Sequence, residues 1–142
     1  MSISSKVLAL SGGVGGAKLA LGLVRCLDRD ELTIVCNTAD DFVHLGLNIC
    51  PDLDTILYTL ADWSNKEQGW GQADETWTFL DALGRLGGET WFSLGDRDLA
   101  THVVRTGLLV ACLKRIDEID TDVQAWAHLD HDFALKQARK RD

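Results

Sequence analysis

Four glycines fall within the six residues Ser11-Gly12-Gly13-Val14-Gly15-Gly16, directly after the apolar run 6–10 and directly before a stretch, 17–27, in which Leu19, Leu23 and Leu27 recur four apart. A change of period from strand-like to helix-like across a glycine run leaves little choice but strand, tight turn and helix. The next apolar segment, Leu32–Cys36 (LTIVC), is β-branched and bounded by polar residues. The two strands and the helix between them form one βαβ unit, a parallel pair with a right-handed crossover. Glycines at such a turn serve close packing and positive φ, or they clear the way for loop N–H groups and the helix N-terminus to face a phosphate. Neither standard nucleotide template fits: a Walker loop needs glycine at Ala17 and Ser or Thr at Leu19, and the dinucleotide fingerprint needs glycine or alanine at Lys18. The second strand also runs into Asn37, where a dinucleotide-binding unit places an acid for the ribose. An ordinary NAD enzyme or P-loop ATPase is therefore disfavoured.

Further along, residues 37–52 are expected as a loop holding Asp40, Asp41, Gly46 and the single proline, Pro51, followed by a helix over 53–63 and a loop over 64–73. A helix over 75–86 should end at Gly87-Gly88, residues 90–94 should add a third strand, and a helix over 98–109 should begin after Gly95-Asp96-Arg97. The tail 121–140 is expected as another helix, with Val123, Trp126, Ala127, Phe133 and Ala134 on one side. Three strands fall short of the roughly four to six of a typical sheet, so an α/β sheet that is incomplete is expected.

Composition narrows the function. A 46% hydrophobic content in 142 residues can bury one domain core. No apolar run reaches the length of a membrane span, and the start MSISSKVLALSGG lacks a leader's basic region and cleavage site, so a cytoplasmic protein is expected. The formal charge of −8 opposes nucleic acid and anionic membranes as partners. Cys26, Cys36, Cys50 and Cys112 form no CxxC pair and are expected as buried, reduced thiols. An anionic small molecule would need local help from Lys18, Arg97, Arg105, backbone N–H groups and a metal ion.

Three acidic pairs stand at the ends of expected elements: Asp40-Asp41, Asp52 with Asp54, and Asp96 with Asp98. Singly, each pair reads as a helix cap or solvated loop. Together, beside a phosphate loop, they suggest hard oxygen ligands for Mg²⁺. The segments LSGGVGGAKL (10–19), NTADDF (37–42), PDLDTILYTLA (51–61) and LGDRDLATHVVR (94–105), in this order, resemble the 2-phospho-L-lactate transferase family, also called CofD. The intervening GWGQADETWTFLDALGRLGGETWF is similar to bacterial members. The likeness covers about 7–109, and residues 1–109 read as the N-terminal part of the transferase-like α/β domain, with 110–142 a helical tail outside it.

The resemblance implies a Rossmann-like, doubly wound parallel sheet and a Mg²⁺-dependent transfer in coenzyme F-420 biosynthesis. The ribityl hydroxyl of 8-hydroxy-5-deazariboflavin would attack a guanosine diphosphate-linked donor carrying a phospholactyl, phosphoenolpyruvyl or phosphoglyceryl group, and GMP would leave. Carried over by residue, Gly12, Gly13, Gly15 and Gly16 lie at the phosphates. Asn37, Asp40 and Asp41 line the same edge, with Asp40 and Asp41 toward the metal, and Asp54 contacts the deazaflavin. Asp41, Asp96 and Arg97 are the catalytic candidates. Ser93 stands where the family commonly has Arg or Lys as a second acceptor contact. Because family members are about twice as long, the chain by itself is expected to bind nucleotide without turning over, acting as an inactive fragment or phosphate-binding module unless a homo-oligomer or complementing chain completes it. His128 and His131 read as a solvated helix face; Trp63, Trp70, Trp77 and Trp91 as core or interface anchors, with Trp70 the first candidate for ring stacking; His102 reads equally as a core histidine or a site residue.

Overall fold

A computed structural model of the chain describes the backbone of residues 6–123 and the side chains of 6–119. The chain divides into two compact units. One is built from residues up to Asp40 together with Cys50–Glu75, the other from Asp41–Ile49 together with residues from Thr76 on. The tail helix expected over 121–140, with His128 and His131, lies almost wholly outside the described residues.

In the first unit, β1 (Val7–Ser11) and β2 (Leu32–Cys36) pair in parallel, with Val7 opposite Leu32 and Ser11 opposite Cys36. The crossover is α1 (Gly13–Val24), and α1 packs on α2 (Pro51–Leu60). Pro51 stands in the first turn of α2, where its missing N–H costs nothing. Ala17 and Ala20 of α1 and Ile56 of α2 form the buried centre, with Ile34 and Cys36 packed against it. Of the leucines spaced four apart, Leu19 is exposed and Leu23 and Leu27 are half-buried, so the alanines hold the face toward α2. Small side chains win that face because they let α1 approach α2 and β2 closely, which a row of leucines would hold apart. The same closeness explains Gly16, where a Cβ would lie 2.2 Å from Ser11 Oγ and 3.2 Å from Ser11 Cα. Leu8, Leu10 and Val35, on the other side of the two-stranded sheet, are exposed. The cysteines remain thiols, but Cys26 and Cys112 are exposed and Cys36 and Cys50 half-buried, which corrects the expectation of buried ones.

In the second unit, β3 (Phe42–His44) and β4 (Leu47–Ile49) form an antiparallel hairpin inside the stretch expected to be loop. Its turn residues Leu45 and Gly46 both have positive φ, 52° and 76°. That is the signature of a tight hairpin turn, normally announced by Asn-Gly or Asp-Gly, and Leu-Gly hides it. The third strand expected over 90–94 is absent. Trp91 and Phe92 instead place their rings on Phe42 and His44 of β3, with centroids 5.1–5.8 Å apart. Such ring pairs contribute about 0.5–1.5 kcal/mol each beyond their burial.

The helix expected over 75–86 is the shorter α3 (Thr78–Arg85), and it stops as predicted. Gly87, at φ 78°, donates to Gly84 O and Gly88 donates to Leu83 O, a Schellman close. The helix expected over 98–109 is α4 (Asp96–Val123). It starts two residues early because Gly95 O accepts the first helical bond, from Leu99 N. It runs through 109 because nothing there breaks it, and Lys114 and Arg115 pair with Glu118 along its surface. A boundary at 109 therefore falls inside one helix.

Gly16→Ala is expected to lower stability by about 1–3 kcal/mol by forcing α1 off the end of β1. Gly15→Ala, whose Cβ meets nothing within 4 Å, should be neutral or stabilising by up to about 1 kcal/mol. Urea unfolding of the two variants checks this; equal destabilisation would refute the packing account.

Candidate functional site

The turn between β1 and α1 begins at Gly12 in extended conformation and reverses at Gly13, whose φ of 62° suits only glycine without strain. That reversal aims the Gly13 N–H at Asp52, and Asp52 Oδ1 accepts it at 2.5 Å. Asp52 lies in the first turn of α2 and is buried. Its other oxygen accepts from Asn37 Nδ2 at 2.9 Å, and the same amide nitrogen lies 3.1 Å from Asp40 Oδ1. Asn37 is fixed in turn by its N–H, which donates to Ser11 O at the end of β1. The ends of both strands and the starts of both helices thus meet at one carboxylate.

The arrangement is an anion site in use, with a carboxylate of the chain as its anion. It brings together the expected residues Gly12, Gly13, Asn37 and Asp40. It also adds Asp52, which by sequence alone serves equally as a helix cap. In PDLDT either aspartate could face the loop, and only the pitch of α2 against α1 selects the first. Asp54, expected at the acceptor, is buried in the same first turn, its N–H donating to Cys50 O. The four glycines separate by cause. Gly13 is required by its φ, Gly16 by Ser11, and Gly12 by Asp52, whose Oδ2 would lie 3.0 Å from an added Cβ. Gly15 has no such neighbour. The N–H groups of Val14 and Gly15 fall in the first turn of α1, where a helix offers no carbonyl to receive them.

Asp41, Ser93, Asp96 and Arg97 belong to the second unit. Asp41 is half-buried before the hairpin, and Ser93 and Arg97 are exposed. Asp96 is engaged structurally: its carboxylate accepts from Thr76 Oγ1 at 2.6 Å, Phe79 N at 3.0 Å and Thr78 N at 3.2 Å. It caps the start of α3, supplying the acceptor that Trp77 at the cap position lacks. The Thr76 hydroxyl first, then the Phe79 and Thr78 N–H groups, hold its pKa below the usual carboxylate value. Arg105, considered for anion binding, donates instead to Asn48 O at 2.9 Å.

Among the described residues no three His, Cys, Asp or Glu side chains cluster as a cation cage. Asp40 and Asp52, drawn to one amide, are oxygen ligands of the kind Mg²⁺ takes, and Mg²⁺ commonly binds through one or two carboxylates with substrate phosphates and water completing its shell. The donor set fits that mode and not a closed protein cage.

The family model for the 2-phospho-L-lactate transferase CofD matches residues 7–130. A phosphoenolpyruvate transferase of Kitasatospora aureofaciens is 49% identical over 108 residues, covering 75% of this chain and 34% of the relative. That of Streptomyces coelicolor is 48% identical over 107 residues, again 75% and 34%. The Mycobacterium marinum protein is 49% identical over 118 residues, 75% and 36%. The chain thus spans about a third of the length of these curated relatives.

Asp52→Asn replaces one acceptor by an NH₂ group facing another donor, either Gly13 N–H or the Asn37 amide. A loss of about 1–3 kcal/mol in urea unfolding is expected; a neutral result would show that the clasp contributes nothing. For Asp96 the sign follows from its lowered pKa. Its stabilisation is in place above the ordinary value of 3.8 and is lost as pH falls below that through the folded value. Amide exchange at Thr78 and Phe79 should accelerate in that acid window in the native chain, and Asp96→Asn should remove the pH dependence.

Proposed function

The chain belongs to the 2-phospho-L-lactate transferase (CofD) family, and on that premise we propose that it forms the nucleotide-phosphate side of a transferase in coenzyme F-420 biosynthesis. The donor is a guanosine diphosphate-linked phospho-acid and the acceptor is 8-hydroxy-5-deazariboflavin. Among phospholactyl, phosphoglyceryl and phosphoenolpyruvyl donors, the last is favoured by the phosphoenolpyruvate transferases among the relatives. In the transfer, the ribityl oxygen bonds to the phosphorus bearing the acid and loses its proton, and the bond to GMP breaks with its electron pair leaving on GMP. Such chemistry is positioning and charge neutralisation more than covalent catalysis.

The observation that carries this reading is Gly15. Glycine in a helix costs about 1 kcal/mol relative to alanine, and neither φ nor a neighbour requires it here. An approaching phosphate supplies the missing reason, with the Val14 and Gly15 N–H groups as its donors. Gly12, Gly13 and Gly16 shape the turn, and Asn37 orients the carboxylates beside it. Mg²⁺, held by Asp40 with Asp41 or Asp52, would neutralise the diphosphate. Asp54 serves the acceptor, and Arg97 and Ser93 are substrate contacts on the strength of the family resemblance alone. Asp96 acts through the α3 cap. Completion of the β1–β2 pair into a doubly wound sheet belongs to the same proposal, supported by the exposed face of Leu8, Leu10 and Val35, since parallel sheets are covered on both faces. None of the described helices is long and apolar enough to cross a membrane, and a cytoplasmic setting with a homo-oligomer or complementing chain goes with the reading.

Titration of the chain with GDP and Mg²⁺, and separately with the deazaflavin by fluorescence, tests the proposal. Gly15→Ala is expected to weaken GDP about tenfold with folding intact, and Asp54→Asn to weaken the deazaflavin by a similar factor. GMP release from the activated phospho-acids then reports turnover. Equal loss of both ligands in both variants would show the roles misassigned; no GDP binding by the native chain would remove the reading.

A further inference from the structure

Along β1 the side chains alternate, with Leu8 and Leu10 on the open face and Ala9 and Ser11 on the covered one. Ser11 is 8% exposed, and its hydroxyl is buried without a hydrogen-bond partner in the chain. The covered face is otherwise apolar here: Ala9 precedes Ser11, Cys36 stands opposite it on β2, and Ala17 and Ala20 form the buried side of α1. Alanine would fill the position with no stranded oxygen. A buried hydroxyl that has lost water and gained no partner costs folding free energy, so the packing of the sheet supplies no reason for serine.

The direction of the hydroxyl supplies one. It occupies the space that a Cβ at Gly16 would take, and so points at the first turn of α1. Two N–H groups of that turn are committed, Gly13 to Asp52 and Gly16 to Gly12 O at 3.3 Å. Those of Val14 and Gly15 have no helical carbonyl to receive them, and Gly12 at the cap adds no side-chain bond. The strand end, the stranded hydroxyl and this turn all belong to the first unit. A hydroxyl also brings a donor without a charge. A lysine beside Asp52 and Asp40 would be drawn into an ion pair, whereas a neutral donor stays available to an anion.

We propose that Ser11 is a phosphate-binding residue. Its hydroxyl, held against Gly16 in the free chain, turns about its single side-chain torsion and donates to an oxygen of the diphosphate that the Val14 and Gly15 N–H groups receive. The torsion steps between staggered wells, so the backbone need not move. The hydroxyl is stranded in the free chain and satisfied in the bound one. The inference rests on the phosphate reading of the glycine turn given above and adds a side-chain donor to it.

Two variants test it: Ser11→Ala, and Ser11→Cys, which keeps a side chain of similar size with a much weaker donor. Calorimetry follows inorganic pyrophosphate with Mg²⁺, a ligand with neither base nor acid, and Mg²⁺ alone. Both variants are expected to bind pyrophosphate about tenfold more weakly, the scale of one hydrogen bond to a charged group, with binding of Mg²⁺ alone unchanged. Ser11→Ala should at the same time raise the urea midpoint of the ligand-free chain. Stability and binding moving in opposite directions is the signature that a merely structural serine does not give. A lowered midpoint overturns the proposal, because the hydroxyl would then be satisfied in the free chain. Native-like binding by Ser11→Cys shows that size and not donation matters, and equal weakening of Mg²⁺ alone shows that the hydroxyl serves the cation; either result overturns it too. Native affinity for pyrophosphate in both variants removes Ser11 from the site and leaves the phosphate reading standing. A native chain that binds neither pyrophosphate nor GDP removes that reading and this inference with it.

Discussion

The contact between Gly13 N–H and Asp52 is the constraint on which the first unit depends. Only a residue with positive φ aims that N–H at α2, and only a carboxylate can take it while also holding Asn37. One side chain therefore fixes the β1–α1 turn, the end of β2 and the entry to α2. The same contact sets a condition on function. A phosphate arriving at this helix end meets a negative charge already seated, and like charges at a few ångströms in a poorly solvated site repel by several kcal/mol. A cation between them would relieve this.

The glycine turn also shows how packing and binding divide one motif between them. Gly16 is required by the strand behind it and Gly12 by the carboxylate beside it, so both would be needed in a domain that bound nothing. Gly15 alone has no reason inside the chain. The pairing of small residues at Ala17 and Ala20 with Gly16 keeps α1 close to the sheet, and that closeness brings the first turn of α2 within reach of the loop.

In the second unit, charged groups that look alike in sequence are put to different work. Asp96 spends its oxygens on the start of α3, while Asp98, one half-turn further, lies 3.8 Å from the buried ring of His102. The ring cluster of Phe42, His44, Trp91 and Phe92 holds the segment before them against the hairpin. Strand-like residues there serve ring packing and form no ladder, since rings offered by β3 satisfy Trp91 and Phe92 without a neighbouring strand.

By itself the sequence determined what local chemistry dictates. The parallel pair of β1 and β2 around a glycine turn, the stop of α3 at Gly87-Gly88 and the family carried by four ordered motifs were legible because period, φ requirement and residue order are properties of the chain. It did not reveal the hairpin, whose Leu45-Gly46 turn carries a weak signal, or the start of α4, where Gly95 O accepts the first helical bond, and its continuation past 109. Nor could it choose Asp52 over Asp54 or separate Asp96 from Asp98. Each choice depends on which way a carboxylate points once two elements have packed, and only the tertiary structure brings its hydrogen-bond donors, tens of residues away along the chain, within 3 Å or so of its oxygens.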